Sequence, residues 1–278
     1  MTENTAIAWA THTHNHWIGC TKVGPGCDHC YAEAWDRRFD KDHVARHWGP
    51  GAPRRLTSIQ TRNKPLRWQR DRRAAIDAGL NPDPVRVFGG SLMDPFDNEA
   101  PEGGREGLWE LIARCPDLDW ILVTKRVGNV WKMAPEDGLG PNVIVLATIV
   151  DQEEAKRDLY KLRALKNNGY VERIGVSYEP ALGPVDWSPW IRDLDWLIVG
   201  AESDQGGAMG RDFSVAWARS AVEQCRAAGV PVFVKQLGRW PLGLDPAWTT
   251  APLLDRAGAD PDEWPEDLRI REFPRAWS

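Results

Sequence analysis

Val143-Ile-Val-Leu-Ala-Thr-Ile149 and Trp196-Leu-Ile-Val199 are the clearest of a series of short apolar segments that decides the fold. The equivalent segments are Val85-Arg-Val-Phe88, Trp120-Ile-Leu-Val-Thr124, Ile174-Gly-Val-Ser-Tyr178 and Val230-Pro-Val-Phe-Val234. Runs that are this short and this continuously apolar are typical of strands buried on both faces. Helical patterns over residues 104–114, 152–166 and 214–228 separate most of them. This alternation predicts an α/β fold with a parallel sheet, built as a single (β/α) barrel, full or partial.

Length and composition set the outer limits of this prediction. The chain has 278 residues, of which 42% are hydrophobic and 27% are charged, as expected for one large globular domain. We expect that domain to cover residues 1–244 and an acidic extension rich in proline and tryptophan, residues 245–278, to form an irregular tail. No apolar run approaches the ~20 residues that span a bilayer, so no membrane association is expected. Five cysteines and no apolar segment at the start predict a reducing cytoplasmic location.

Three of the five cysteines are concentrated in Cys20-Thr-Lys-Val-Gly-Pro-Gly-Cys27-Asp-His-Cys30, within a segment, residues 17–33, that we call the cysteine loop. The run Gly24-Pro-Gly26 favours turns that can wrap the backbone around a metal. Three thiolates fit either a zinc ion completed by a histidine or an iron–sulfur cluster with one iron open to another ligand. A short strand near residues 7–10 or 17–18 is expected before the first cysteine, Cys20.

Histidines are the main support for the zinc alternative. All six lie in the first fifty residues, and His14 or His16 could complete a tetrahedral site with the three cysteines. A structural zinc knuckle would then replace the cluster. Cys115 and Cys225 stand alone in segments with helical patterns, which indicates thiols of the hydrophobic core.

Polar residues follow most of the predicted strands, where (β/α) barrels assemble their binding sites. They are Gly89-Gly90-Ser91 with Asp94, Thr124-Lys125-Arg126, Asp151-Gln152, Ser177 with Glu179, Glu202-Ser203, and Lys235-Gln236. Each has an ordinary explanation as a helix cap or loop charge. Because they recur at one end of successive strands, we expect many of them to line one cavity together with the cysteine loop.

The segment between Arg37 and Arg73 is strongly basic, although the whole chain carries a formal charge of -5. Trp48 and Trp68 are interspersed among its arginines. Cations and flat aromatic faces are the groups on which a single strand or an extruded base can stack, and a solvated helix face explains the same composition. DNA or RNA is therefore a possible partner through this segment.

Six sequence motifs in the same order resemble the phage Gp37/Gp68 family, also called the DUF5131 family. They are Trp17-Ile-Gly-Cys-Thr-Lys-Val-Gly-Pro-Gly-Cys-Asp-His-Cys-Tyr-Ala-Glu33, Pro65-Leu-Arg-Trp68, Thr124-Lys-Arg126, Glu179-Pro-Ala-Leu-Gly-Pro184, Ile198-Val-Gly-Ala-Glu-Ser203 and Val234-Lys-Gln-Leu-Gly238. The resemblance covers residues 7–238. It implies a barrel of the radical SAM type, related in outline to spore photoproduct lyase. From analogy with that lyase and from the basic, tryptophan-bearing segment, we expect an enzyme that modifies or repairs a nucleic acid base.

The resemblance also implies roles for individual residues. Cys20, Cys27 and Cys30 would hold a 4Fe–4S cluster whose fourth iron binds S-adenosylmethionine (SAM), from which a 5′-deoxyadenosyl radical is generated. Contacts to the cofactors are expected from Gly89, Gly90, Ser91, Asp94, Lys125 and Tyr31. Catalytic roles are expected for Glu179, Glu202 and Lys235. A flavodoxin- or ferredoxin-like protein would supply the electron.

The chain departs from the commonest radical SAM pattern, CxxxCxxC with an aromatic residue before the last cysteine. Six residues separate Cys20 from Cys27, and His29 precedes Cys30, so an aromatic contact to adenine would come from elsewhere, such as Tyr31. Two other functions remain open at this point. One is a zinc-stabilised nucleic-acid-binding protein without redox chemistry, and the other is a radical SAM enzyme that acts on a small metabolite.

Overall fold

A parallel sheet of seven strands forms the centre of the molecule, in a computed structural model that describes residues 3–39, 41–42, 44–204, 208–244 and 252–274. The strands lie in the order β1-β4-β5-β6-β7-β8-β9, and every neighbouring pair is parallel. A separate antiparallel pair joins β2 to β3. The strands are β1 His12–His14, β2 Trp17–Ile18, β3 Arg55–Leu56, β4 Arg86–Gly89, β5 Asp119–Thr124, β6 Val143–Thr148, β7 Arg173–Tyr178, β8 Trp196–Gly200 and β9 Val232–Gln236.

The sheet is curled, with an apolar filling on its inner face and helices on its outer face. The inner cluster contains Trp9, Phe88, Ile144, Trp196 and Phe233, all almost inaccessible to solvent. A larger outer cluster joins the alternate strand residues to the helices. Because β1 and β9 are the two ends of the strand order, the architecture is a half-barrel. The predicted α/β fold is confirmed, in its partial form.

Helices connect most of the parallel strands. They are α1 Tyr31–Phe39, α2 Ile59–Arg62, α3 Lys64–Asp77, α4 Gly104–Ala113, α5 Val130–Met133, α6 Gln152–Asn167 and α7 Val215–Ala228. The three predicted helices correspond to α4, α6 and α7. Helix α6 begins at an N-cap, where the Asp151 side chain accepts a hydrogen bond from the Glu154 backbone N–H. No helix within the described residues has both the length and the apolar character needed to cross a membrane.

The first strand of the sheet lies further along the chain than the apolar pattern predicts. Residues 7–10 form a turn in which the Ala10 N–H donates to the Ile7 carbonyl, and the turn puts Trp9 into the inner cluster. The strand is instead His12–His14, which pairs with β4. The sequence of this strand is polar, yet the His14 side chain is 0% exposed. Residues 17–18 do form a strand, in the smaller sheet.

The described part of the C-terminal extension packs against the sheet. Trp264 and Leu268 are buried, and their segment contains only short 3-10 helices. Further along, the Val234 N–H donates to the Ile270 carbonyl and the Glu272 N–H donates to the Val232 carbonyl, so this stretch runs antiparallel to β9. The irregular tail thus contributes to the core. Residues 245–251 and 275–278 of the predicted extension lie outside the described residues.

Candidate functional site

A cavity of about 390 Å³ opens at the carboxyl ends of the parallel strands; we call it the main cavity. All three cysteines of the cysteine loop line it. Its other lining residues include a series at or just after the carboxyl ends of β4 to β9, namely Gly90, Ser91, Asp94, Thr124, Lys125, Arg126, Thr148, Ser177, Glu179, Ser203, Lys235 and Gln236. Trp9 and Phe88 of the inner cluster also line it. The structure therefore brings the thiols and the strand-end residues into one space.

The cysteine loop is fixed by backbone contacts at its start. Gly19 has φ 120°, and a β-carbon there would lie 2.3 Å from the His47 carbonyl oxygen, so only glycine fits. The Gly19 N–H donates to the Leu92 carbonyl and the Gly49 N–H donates to the Cys20 carbonyl. These bonds hold Cys20 between the segment after β4 and the segment before β3.

The rest of the loop lies against the ends of β5 and β6. Pro25–Cys27 forms a 3-10 helix, and a β-carbon on Gly26 would lie 2.8 Å from the Val150 side chain and 3.3 Å from Lys125. Cys27 is buried and Cys30 is partly buried, immediately before α1. All five cysteines are free thiols, and Cys115 and Cys225 lie in the core, as their isolation in the sequence indicates.

Arg126 contacts the first cysteine directly, which the sequence did not reveal. Its Nη1 donates to the Cys20 Sγ at 3.4 Å and to Asp94 at 2.9 Å. Burial raises the pKa of the Cys20 thiol to about 12, Asp94 adds to this rise, and the Arg126 guanidinium opposes it. A bare thiol here is protonated at neutral pH. A bound metal ion would release that proton, because coordination favours the thiolate.

Asp94 organises the ends of β4 and β5. One oxygen accepts hydrogen bonds from the Thr124 hydroxyl at 2.8 Å and the Phe96 N–H at 2.9 Å. The other accepts from the Lys125 N–H at 3.2 Å and from Arg126. Since both carboxylate oxygens have protein partners, Asp94 acts on the cavity through Arg126 and the backbone it holds.

Gly90 and Ser91 form one wall of the main cavity. Gly90 has φ 134°, and Tyr31, also a lining residue, donates its hydroxyl to the Ser91 carbonyl at 2.6 Å. Asn15, which the sequence analysis did not identify, donates to the Ser91 hydroxyl at 2.7 Å. Gly89 was expected beside the cofactor but does not belong to this wall. A β-carbon on Gly89 would meet Leu122 at 2.8 Å, so its small size serves packing between β4 and β5.

Glu179 and Lys235 face each other across the ends of β7 and β9. The Lys235 Nζ lies 2.9 Å from the Glu179 carboxylate, and both residues line the main cavity. Gly200 makes room for this carboxylate, because a β-carbon there would lie 2.7 Å from it. The Ser177 hydroxyl lies 3.3 Å from the other Glu179 oxygen. This pair offers one cation and one anion to a polar ligand.

Glu202 is engaged by the cysteine loop and lies outside the lining of the main cavity. Its carboxylate accepts hydrogen bonds from the His29 Nδ1 at 2.8 Å and from the Arg211 side chain at 2.6 and 2.9 Å. Arg211 also donates to the Pro25 carbonyl at 2.9 Å. Burial opposes ionisation of Glu202, but the bonds from Arg211 and His29 outweigh it and hold the pKa below its usual value. We call Glu202, His29 and Arg211 the clamp.

His14 and His16 lie away from the three thiols. The His14 Nε2 is 3.3 Å from the His16 Nδ1, and the His14 ring packs edge-on against Trp120. Burial lowers the pKa of His14 to about 3 and that of His16 to about 4. Within the ranges that the structure describes, no three His, Cys, Asp or Glu side chains are grouped to hold a single metal ion. The expected zinc ligands therefore do not converge with the cysteines.

Most of the described basic side chains between Arg37 and Arg73 contact other residues of the protein. Arg54 is fully buried and bonds Asp97 at 2.7 Å. On α3, Arg72 donates to the carbonyls of Asp117 and Asp83, which precede β5 and β4, so this part of α3 lies at the amino ends of the strands. Trp68 is buried against His12, whereas Trp48 lines the main cavity.

The fold and cavity define a half-barrel α/β protein with a thiol-lined site at the carboxyl ends of its strands. The chain belongs to the family described as "Protein of unknown function (DUF5131)", whose model matches residues 4–250. No curated protein matches. One solved structure, the aldose reductase from Schistosoma japonicum, is 13% identical over 80% of this chain and 64% of its own, with a TM-score of 0.26, which is too low to support any argument.

Proposed function

We propose that the cysteine loop binds a 4Fe–4S cluster and that the main cavity binds SAM at its open iron, as in a radical SAM enzyme. The observation that carries this proposal is the position of three free thiols of one loop at the lining of a ligand-sized cavity that combines an apolar surface with polar side chains from the strand ends. In a four-iron cluster each cysteine binds a different iron, so the sulfur atoms need not converge on one point. The lack of a single-ion group among the described residues is consistent with that arrangement.

Unpartnered polar atoms in the cavity lining fit a polar ligand. The Trp9 Nε1 and the Thr148 Oγ1 are buried without a hydrogen-bond partner among the described residues, and both residues line the main cavity. A buried polar group left unsatisfied costs about 1–3 kcal/mol, so a ligand that supplies a partner recovers that free energy. The amino, carboxylate and ribose groups of SAM offer such partners.

The cavity residues have separate tasks in this proposal. Cys20, Cys27 and Cys30 hold three irons, and Arg126 stabilises the Cys20 thiolate through its hydrogen bond. When bound, the reduced cluster supplies the electron that cleaves SAM and releases a 5′-deoxyadenosyl radical. Lys235 and Glu179 orient the charged groups of SAM, and the backbone at Gly90 approaches its methionine end. The clamp keeps Pro25–Cys27 against the strand ends.

A nucleic acid base is the proposed substrate. Tyr31 and Trp48 supply flat faces in the cavity lining, and Lys125 and Arg126 place cations beside them. Stacking of a base on aromatic rings with nearby cations is a general mode of binding unpaired nucleotides. A flavodoxin- or ferredoxin-like protein is the expected electron donor.

Anaerobic purification and reconstitution with iron and sulfide test the cofactor proposal. We expect about four irons per chain, a broad absorption band near ~400 nm that bleaches on reduction, and release of 5′-deoxyadenosine from SAM. Cys30→Ala should lose most of the iron, whereas Cys225→Ala, a core thiol, should keep it. Stoichiometric zinc, no colour after reconstitution and no SAM cleavage would refute the proposal in favour of the zinc alternative. SAM cleavage that ignores DNA and RNA but responds to small molecules would refute only the proposed substrate.

A further inference from the structure

A second cavity of about 330 Å³ lies beside the main one, between the segment after β5 and the first half of α6. Lys125 and Arg126 line both cavities, so the two spaces share a wall. Arg157 and Lys161 of α6 complete a group of four cations, and Val23 of the cysteine loop borders it. Among the described residues, the carboxylate in this lining is that of Asp158 alone. No function described above uses this cavity.

At the second cavity the carboxylates are buried and the cations on α6 are more exposed to solvent. The side chains of Asp158 and Glu154 are 7% and 10% exposed, whereas those of Lys161 and Arg157 are 28% and 51% exposed. Asp158 pairs with both cations, at 2.9 Å to Lys161 and 2.6 Å to Arg157. The buried carboxylates hold the cationic groups in place, while the groups that a ligand in solution meets are positive.

Lys125 adds a charge that is not neutralised in this way. Within the described part of the chain no carboxylate forms an ion pair with its ammonium group. Its side chain passes Gly26 of the cysteine loop, since a β-carbon on Gly26 would lie 3.3 Å from the Lys125 Cε. Lys125 therefore stands between the thiols and the second cavity. A ligand that carries a negative group on one side and a flat apolar group on the other fits the two spaces together.

We infer that the second cavity binds a phosphate group of a nucleotide, free or within a strand, whose base enters the main cavity. Arg157 and Lys161 offer several N–H donors to phosphate oxygens, and Lys125 contacts the ligand at the shared wall. The position of the base rests on the proposed function, whereas the phosphate site does not. This assignment moves the phosphate contacts from the Arg37–Arg73 segment to the carboxyl ends of the strands.

Binding of a fluorescein-labelled single-stranded oligodeoxynucleotide, followed by fluorescence anisotropy, tests this site in the purified protein. Lys161→Gln and Arg157→Gln, made singly so that Asp158 keeps one cation, should each raise the Kd roughly fivefold and lower the salt slope by about one. Arg157→Lys should restore much of the binding. Arg163→Gln, on the same helix but paired with Asp193, is the matched control and should bind like the wild type. Thermal melting checks that each variant is folded.

A comparison variant on α3, Arg67→Gln with Arg70→Gln, removes two positive charges, as many as the two single α6 variants remove together. If it weakens binding and the α6 variants do not, the inference is wrong. In the wild-type protein, adenosine 5′-monophosphate should displace the oligonucleotide at far lower concentration than adenosine does. Displacement by inorganic phosphate alone also supports the site, whereas equal potency of adenosine and its monophosphate overturns it. Phosphate-dependent binding without SAM cleavage would support this site and refute the proposed chemistry. SAM cleavage without phosphate-dependent binding would support the chemistry and refute this site.

Discussion

Replacing Arg211 with alanine should loosen the cysteine loop, because this side chain ties the loop after β8 to Pro25 and Asp28. Two of its nitrogens bind the Glu202 carboxylate, a third donates to the Pro25 carbonyl at 2.9 Å, and Asp28 lies 3.4 Å away. Arg211→Ala removes all of these contacts. It also leaves the Glu202 carboxylate, whose side chain is only 7% exposed, with His29 as its remaining side-chain partner.

The expected loss of stability can be bounded from these contacts. Removing one partner of a buried ion pair costs about 3–5 kcal/mol, and since the Arg211 side chain is 27% exposed we expect about 3 kcal/mol. At roughly 2.1 cal/mol/K of unfolding entropy per residue, that corresponds to a fall in Tm of about 5 °C for a chain of 278 residues. Arg211→Lys keeps the charge but loses the bidentate geometry, so its Tm should lie between those of the wild type and Arg211→Ala.

Reaction of the metal-free protein with Ellman's reagent measures the loop itself. The three loop thiols should react several-fold faster in Arg211→Ala than in the wild type, while Cys115 and Cys225 stay protected in the core. Lys156→Ala, which breaks the exposed pair with Glu153, is the control and should change neither Tm nor reactivity. If Arg211→Ala matched this control in both measurements, the clamp would not hold the loop, and the reasoning from its contacts would be refuted.

Three further predictions follow from other parts of the structure. Glu179→Gln should raise the Kd for SAM about tenfold in calorimetric titrations with little change in Tm, because the cavity loses the carboxylate that is proposed to bind a positively charged group of SAM; an unchanged Kd would place SAM elsewhere. Burial lowers the pKa values of His14 and His16 from 6.5 to about 3 and about 4, so the stability linked to these neutral rings is complete above pH 6.5 and is lost progressively down to about pH 3. Urea denaturation should show a loss of about 3 kcal/mol for His16 alone by pH 4, with a shallower pH dependence in His16→Gln. Trp264→Ala should destabilise the protein by about 3–5 kcal/mol, because this side chain is 2% exposed and donates to the Gly258 carbonyl; a Tm equal to that of the wild type would mean that the C-terminal segment packs independently of the core.

Local sequence patterns predicted the parallel strands and main helices because continuous apolar runs and helical periodicity are properties of each segment. They could not predict where the sheet stops. Closure depends on whether β1 and β9 meet, which is decided by packing between distant segments, such as that of Trp9 against Phe88 and Trp196 in the inner cluster. The same limit explains the misplaced first strand, since His12–His14 has the polar letters of a loop and is stabilised by its pairing with β4.

The sequence likewise predicted only part of the candidate site. Parallel strands bring their carboxyl ends to one edge, so the sequence alone places Lys125, Glu179 and Lys235 together. Contacts between remote segments are not encoded locally. Arg211 meets residues that lie more than 180 positions away in the chain, and Asn15, just after β1, reaches Ser91, just after its partner strand β4. The orientation of α3 was equally hidden, because a helix with arginines around much of its circumference does not reveal which of them face the protein.

The two edge strands of the half-barrel, β1 and β9, affect how readily this protein can aggregate. An open sheet presents rows of unpaired N–H and C=O groups that can recruit a strand from another molecule. Here short antiparallel pieces of the same chain occupy both places, with Glu3 paired to His12 on one side and Arg271 paired to Phe233 on the other. Both pieces are brief and have polar neighbours, which makes them poor templates for further growth. Damage to either piece would expose a strand edge to intermolecular β-pairing, so the protein would aggregate before the main cavity changed.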